Sequence, residues 1–263
     1  MLETSSIIEF PIGRFLIISR KDWISRSLFM EGDYEHDLSF YLDKLCDNTA
    51  TVIDVGANMG IFAVKAGKKC INGKVYAYEA QRIVHLQLCA NIIINGLTNV
   101  YHGNFAVGLP TEPYQMVNVP FLDYAKDGNL GAVSLIADVM QNDYEIKREL
   151  IGYEPVPLVS LDMLHPEEQI DFIKIDVEGM EYDVLEGAKG IIARCNPVVY
   201  FELNDFSGNS SPNPRDWFKD KPYELVPTGH NILAVPKDGT RFGLTLRIDG
   251  DNLILHKSKS LPS

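Results

Sequence analysis

Ten residues constrain this chain more than any others: Thr51-Val-Ile-Asp-Val-Gly-Ala-Asn-Met-Gly60. A short β-branched run meets a glycine-rich turn, and Ile61 to Cys70 continues in good helix formers. Glycine is needed where backbone bends sharply and nears a ligand with no Cβ in the way. The helix that follows aims its free N–H groups into the same space. Val75 to Tyr78 is a second short strand, ending at Glu79. Arg82 to Ile94 places Leu86, Leu88, Cys89, Ala90 and Ile93 in helical register and closes at Asn95-Gly96; a third strand begins near Val100. Strand–helix–strand–helix–strand with compact connections predicts parallel βαβ units and an α/β fold.

The flanks read differently. Residues 1–22 predict a hairpin extension, with Ile7 to Phe10 and Phe15 to Ile18 joined through Pro11-Ile12-Gly13-Arg14. Glu35 to Leu45 is a predicted helix with acids early and Lys44 late. The rest, 23–263, reads as one domain carrying an insertion at 109–154. That insertion mixes Pro110, Pro113, Pro120, Gly128 and Gly131 with Asp and Asn. It is too irregular for a βα unit, and long segments of this kind are functional lids or disordered. Regular pattern resumes with a buried strand at Ile170 to Ile175, a helix at Tyr182 to Ala188 and a strand at Val198 to Phe201. Late strands fall near Glu224 to Val226 and Ile232 to Val235, with a terminal hairpin around Asp249-Gly250-Asp251.

A formal charge of −12 repels phosphate backbones and anionic lipid, which argues against nucleic-acid and membrane-surface partners. No stretch approaches a membrane span, no basic leader precedes an apolar core, and the expected address is the cytoplasm. Cys46, Cys70, Cys89 and Cys195 show no paired spacing, so neither a zinc site nor a disulfide framework is expected. Nothing fixes an oligomeric state.

Glu79 sharpens the glycine-rich turn. An acid ending the second strand of a nucleotide-binding sheet accepts hydrogen bonds from both ribose hydroxyls; its other reading is a solvated strand end. The dinucleotide fingerprint G-x-G-x-x-G admits a pyrophosphate through its second glycine. Here Gly56 and Gly60 flank Asn58, and Asp54 stands just before. An acid there repels pyrophosphate and suits a cationic sulfonium, which favours S-adenosylmethionine over NAD.

Several further runs, Tyr78-Glu-Ala-Gln-Arg82, Leu88-Cys-Ala-Asn91, Ala106-Val-Gly108, Ser160-Leu-Asp162, Phe172-Ile-Lys-Ile-Asp-Val-Glu-Gly-Met-Glu181 and Val184-Leu185-Glu-Gly187-Ala188, join Val52 to Gly60 in a pattern. Across roughly residues 22–235 the chain resembles the FkbM family of S-adenosylmethionine-dependent methyltransferases. Ala80 departs from the proline that many relatives carry there. The resemblance implies the class I methyltransferase (Rossmann-like) three-layer sandwich: a mostly parallel seven-stranded sheet with an antiparallel last strand. It implies Gly56, Asn58 and Gly60 along the methionine moiety with Asp54 nearby, Glu79 on the ribose, and Asn104 and Phe105 at the adenine. A plain core role is the other reading of Phe105.

Asp176-Val-Glu178-Gly179 ends the fourth core strand, and ligands of open parallel sheets sit off the carboxyl ends of strands. Alternation gives Lys174, Asp176 and Glu178 one side, although Lys174 with Asp176 also reads as a simple ion pair. Methyl transfer to an alcohol needs alignment, dryness and a base for the departing proton. The candidates are Asp176, Glu178, Glu202 at the end of the fifth strand, and His230. Asp176, Glu178 and Glu202 are also hard ligands for Mg²⁺, an alternative to direct base catalysis. His102 and His230 read as lone histidines, and Asn91, Arg215 and Trp217 as scaffold or acceptor-loop residues.

FkbM relatives mainly methylate hydroxyls of sugars, polyketides and related natural products, so the resemblance implies a small-molecule or glycan acceptor. No [DN]-P-P-[YF] run of nucleobase-amine methylases is present. Tyr114, Phe121, Tyr124 and Tyr144 of the insertion are candidates to stack on sugar faces or to pin the loop, and Asn204 to Asp220 is a second candidate lid. The competing readings are an NAD-binding oxidoreductase and a non-catalytic nucleotide-binding module.

Overall fold

Pro11 and Ile12 turn the chain between two antiparallel strands, β1 (Ser6–Phe10) and β2 (Gly13–Ile17). The computed structural model describes residues 5–20, 22–124, 131, 134–135, 150–203, 212–249 and 252–257. Helix α1 (Trp23–Glu31) follows the hairpin and is not anticipated by the sequence pattern. Its signals are local: the Asp22 carboxylate accepts from Ser25 N at 3.0 Å, and Gly32 stops it in the left-handed region. Helix α2 (His36–Leu45) buries Leu38, Leu42 and Leu45, as its spacing predicts.

The central run is strand β3 (Thr51–Val55), turn, and helix α3 (Ile61–Lys69). Strand β4 (Lys74–Tyr78), helix α4 (Arg82–Ile94) and strand β5 (Val100–Gly103) complete two parallel units. The buried face of α4 is Val84, Gln87, Leu88, Asn91 and Ile92, whereas Leu86 and Ile93 stand exposed. Two polar residues therefore sit where an apolar stripe was expected, and each has a partner: Asn91 donates to Met59 O at 2.7 Å and Gln87 to Leu16 O at 2.6 Å. Asn91 is thus scaffold, tying α4 to the glycine-rich turn.

The insertion is more regular than its composition suggests. After the two-residue β6 (Ala106–Val107), β7 (Met116–Leu122) pairs antiparallel with β8 (Leu150–Val159), which runs parallel to β6. Pro120 sits inside β7, where a flanking three-stranded sheet tolerates it. Tyr144 lies outside the described residues. Short helix α5 (Leu161–Leu164), strand β9 (Phe172–Ile175), helices α6 (Glu181–Glu186) and α7 (Lys189–Cys195) and strand β10 (Val198–Glu202) follow. A 3₁₀ turn spans Pro214–Phe218, and residues 204–211 of the second candidate lid fall outside the described residues. Strands β11 (Tyr223–Thr228) and β12 (Asn231–Pro236) finish the main sheet; β13 (Leu244–Asp249) and β14 (Asn252–Lys257) form the terminal hairpin.

The seven-stranded sheet has the order β11-β12-β10-β9-β3-β4-β5, with β12 antiparallel to both neighbours and the remaining strands parallel. Alternation sends Val52, Val75, Phe172 and Val198 to one face, beneath α2, α3 and α4. Ile53, Val55, Ile173, Ile175, Val199 and Phe201 face α6 and α7 on the other. This is the three-layer sandwich of class I methyltransferases. Among the described residues no helix is long and apolar enough to cross a membrane.

Candidate active site

Parallel register decides which charges meet. Asp54 lies directly beside Lys174 across the β3–β9 pair, and both side chains emerge on the same face. Asp54 is fully buried, its nearest cation Lys174 Nζ at 3.6 Å, and neither carboxylate oxygen has a hydrogen-bond partner. Burial pushes its carboxyl up to about 6 against the pull of Lys174. Lys174 Nζ also reaches Asp176 Oδ2 at 3.1 Å and Gly56 O at 3.4 Å. The expected ion pair is therefore present, and it includes Asp54. Neighbouring carboxylates hold the buried ammonium well above its ordinary value despite desolvation.

The glycines serve contacts within the protein. Gly56 has φ +73, and a Cβ on it would lie 1.8 Å from Asp176 O. Gly60, at φ +87, faces Leu88 Cδ1, which a Cβ would approach to 2.4 Å. Both positions let α4 and the β9 loop close on the turn, so the glycines answer a packing demand besides any made by a ligand. Gly56 and Ala57 donate to Tyr78 O at 3.0 and 2.9 Å, fixing the turn against β4.

Glu79 stands at that junction, 7% exposed. Its Oε2 accepts from Asn58 N at 2.9 Å and its Oε1 from Gln81 N at 2.8 Å. Burial still lifts the carboxyl to about 7, while these two amides draw it down. Asn104 supports the bend from behind, donating through Nδ2 to Glu79 O and Ala80 O, both at 2.9 Å. Its amide is spent on backbone, and it borders neither of the two nearby hollows. Phe105 packs on Tyr78 with ring centroids 4.9 Å apart and does line the crevice.

Two joined hollows surround these residues. A crevice of about 50 Å³ is bounded by Glu79, Gln81, Phe105, Val107, Leu135 and Met180 among others. A cavity of about 470 Å³ opens beside it, against Tyr34, Glu35, Asn58, Lys174, Asp176, Glu178, Glu202 and His230. Gly56, Glu79, Gly131, Asp176 and Glu178 border both. Asp54 and Gly60 border neither and act from beneath the turn. An apolar slot ending at an acid has the chemistry that a purine and its ribose need, although at about 50 Å³ it is too small to hold them as it stands. The slot is narrow because the insertion lies over it: Gly131 packs on Asn58, and Gln81 Nε2 donates to Gly131 O at 3.4 Å. Tyr124 OH donates to Gln81 Oε1 at 2.8 Å and Arg82 lies 5.7 Å over the Phe121 ring, so these aromatics pin the insertion. Tyr114 is 98% exposed.

The carboxylates off β9 and β10 crowd together. One oxygen from each of Asp176, Glu178 and Glu202 lies within 4.8 Å of the others. Glu178 is a non-glycine residue at φ +54, a conformation that costs energy and is common at functional sites. Glu181 holds the bend, its Oε1 accepting from Val177 N at 3.3 Å and Gly179 N at 3.1 Å. Burial first, and then the charges of Asp176 and Glu202, push the Glu178 carboxyl up to about 8.

Glu35 was read only as a helix start, yet it borders the same cavity and is pushed up to about 7 by burial. Lys65 anchors its segment, pairing with Asp33 and donating to Tyr34 O at 2.6 Å and Ser39 Oγ at 2.7 Å. Its positive φ (57°) immediately before a helix is a feature of the structure that no sequence pattern announces. Trp217 is buried and donates to Glu186 at 2.7 Å, a scaffold role. His102 is not alone: His85 Nε2 lies 3.1 Å from its Nδ1.

The family model for the methyltransferase FkbM domain matches residues 54–225. The chain belongs to the FkbM methyltransferase family. The match is to a methyltransferase domain, and nothing favours the NAD-binding alternative. Among solved structures, it is similar to methyltransferase FkbM from Methylobacillus flagellatus KT at 14% identity and TM-score 0.48, covering 72% of this chain and 44% of that one. The methyltransferase thus spans less than half of that relative's length. A putative transferase from Pyrococcus horikoshii aligns at 13% identity and TM-score 0.49, covering 88% of this chain and 71% of the other. For an S-adenosylmethionine-dependent O-methyltransferase from Thermotoga maritima the figures are 11%, 0.42, 98% and 74%. Comparison with curated protein sequences finds no match.

Proposed function

We propose that this methyltransferase acts on a hydroxyl of a neutral small molecule or glycan, of sugar or polyketide type, with Glu178 taking the proton. The observation that carries the reading is the 470 Å³ cavity lined by Glu35, Asp176, Glu178 and Glu202. Such a wall accepts hydrogen bonds from and donates them to hydroxyls, and its lysine, Lys174, is already paired with Asp54 and Asp176, which disfavours phosphate and with it nucleic acid.

When bound, S-adenosylmethionine would supply an electrophilic methyl group on a cationic sulfur, the methyl carbon–sulfur bonding pair leaving with the sulfur. Everything else falls to the chain. Glu79 holds the ribose hydroxyls through lone pairs that Asn58 N and Gln81 N leave free, and Phe105 with its apolar neighbours holds the base. Asp54 and Lys174 set the charge beneath the turn. Asp176 and Glu202 accept hydrogen bonds from flanking hydroxyls, and His230 borders the acceptor side. Glu178, lifted to about 8, has a proton affinity matched to a base working near neutral pH. Gly131 and Leu135 border the crevice on the side where the adenosyl group would enter.

A second reading has a divalent cation lowering the hydroxyl's pKa, favoured by the same three carboxylates within 4.8 Å. Chelation by EDTA separates the two: full activity is expected, and loss restored by Mg²⁺ points to the cation. The acceptor class is tested with methyl-labelled cofactor in a metabolite extract. Label recovered as a methyl ether of a neutral compound supports the reading; label on nitrogen or in RNA overturns it.

A further inference from the structure

Away from the cavity, at the outer edge of the sheet, three metal-ligating side chains meet. His85 and Cys89 stand one turn apart on α4, so their side chains share a face. His102 comes to them from β5, the edge strand. His85 Nε2 and His102 Nδ1 are 3.1 Å apart; Cys89 Sγ is 3.4 Å from His102 Nδ1 and 3.7 Å from His85 Nε2.

We propose that His85, Cys89 and His102 form a zinc-class metal site, with a water in the fourth position. The spacing is the argument. Tetrahedral zinc, with bonds of about 2.0–2.1 Å to nitrogen and about 2.3 Å to sulfur, sets its ligands roughly 3.3 Å (N to N) and 3.6 Å (N to S) apart. The three observed separations fall within a few tenths of an ångström of those values. The donor set is borderline-soft, two imidazoles and a thiol, which favours zinc over magnesium or calcium. Cys89 is half-buried; a bound ion would displace its thiol proton and leave thiolate as the ligand. His102 is exposed, which leaves room for water.

The site has a structural consequence. Helix α4 begins just past Glu79 and Gln81, and β5 ends just before Asn104, whose amide holds the Glu79 bend. An ion there ties the helix to the strand beside the crevice. The inference does not depend on the acceptor reading, since its readouts need no turnover.

Dialysed protein titrated with Co²⁺ is the test. A thiolate-to-cobalt charge-transfer band should grow to one equivalent per chain and vanish when Zn²⁺ is added. Zn²⁺ should also raise the melting temperature of the wild type by mass action. Cys89→Ser should lack the band, and His102→Gln should bind Co²⁺ at least about 10-fold more weakly. Glu178→Gln should keep the band, because its carboxylate belongs to the cavity. Absence of the band in the wild type overturns the site, as does its survival in Cys89→Ser or its loss in Glu178→Gln.

Discussion

Glu178 sits at a strained φ, half-buried and beside two other carboxylates, and the burial and the neighbouring charges make its proton harder to lose. Glu178→Gln keeps the shape and removes the base. Turnover should fall by about 10² to 10⁴-fold, the usual worth of a positioned proton acceptor, while the dissociation constant of S-adenosylmethionine holds steady. Equal losses in both would show a structural role. Glu79→Ala should instead weaken cofactor binding by about 1–3 kcal/mol, because buried ribose hydroxyls lose their acceptor. Calorimetric titration reads this directly, with melting followed in parallel since Asn58 N and Gln81 N lose the same carboxylate. Glu79 was legible because a strand end and a glycine turn together specify it. Asp54 was legible as an acid at the strand's end, and only register shows that it faces Lys174, beneath the cavity wall.

The glycine-rich turn works as an element because three chain segments touch there with no room for a methyl group. Gly56→Ala would force a Cβ to 1.8 Å from Asp176 O at a φ that disfavours side chains. It should lower stability by well over 1 kcal/mol and weaken cofactor binding together; chemical denaturation measures the first. Unchanged stability would mean the β9 loop is free to retreat. Local pattern announced this turn, the βαβ order and α2. It missed α1, whose stop signal is a single glycine, and the β7–β8 pair, whose prolines and acids disguise a two-strand register. It also missed Glu35, Gly131 and the His85–Cys89–His102 cluster. Each joins residues far apart in sequence, and periodicity reports only on the element that carries it.

For the whole molecule, the cavity is a store of buried acid. Glu35, Glu79 and Glu181 are each pushed up to about 7 and Glu178 to about 8, all above the ordinary carboxylate value. A carboxyl whose folded pKa exceeds its unfolded one binds more protons when folded, so the stability it contributes is lost as pH rises through the folded value. The cofactor-free methyltransferase should therefore melt lower at about pH 8.5 than at about pH 6.5, a window in which ordinary salt-bridged carboxylates contribute no slope. Calorimetry across that range checks it; a flat or rising profile would show the acids already ionised. Substitution of Gln for Glu178 should reduce the slope at the alkaline end.

The crystal structure of the complex with S-adenosylmethionine tests the central claim most directly. The account predicts Glu79 on the ribose hydroxyls, the insertion at Gly131 displaced from the crevice, and the sulfonium methyl facing Asp176, Glu178 and Glu202 across the larger cavity. A methyl group directed away from those carboxylates, or a cofactor bound without Glu79, would contradict it.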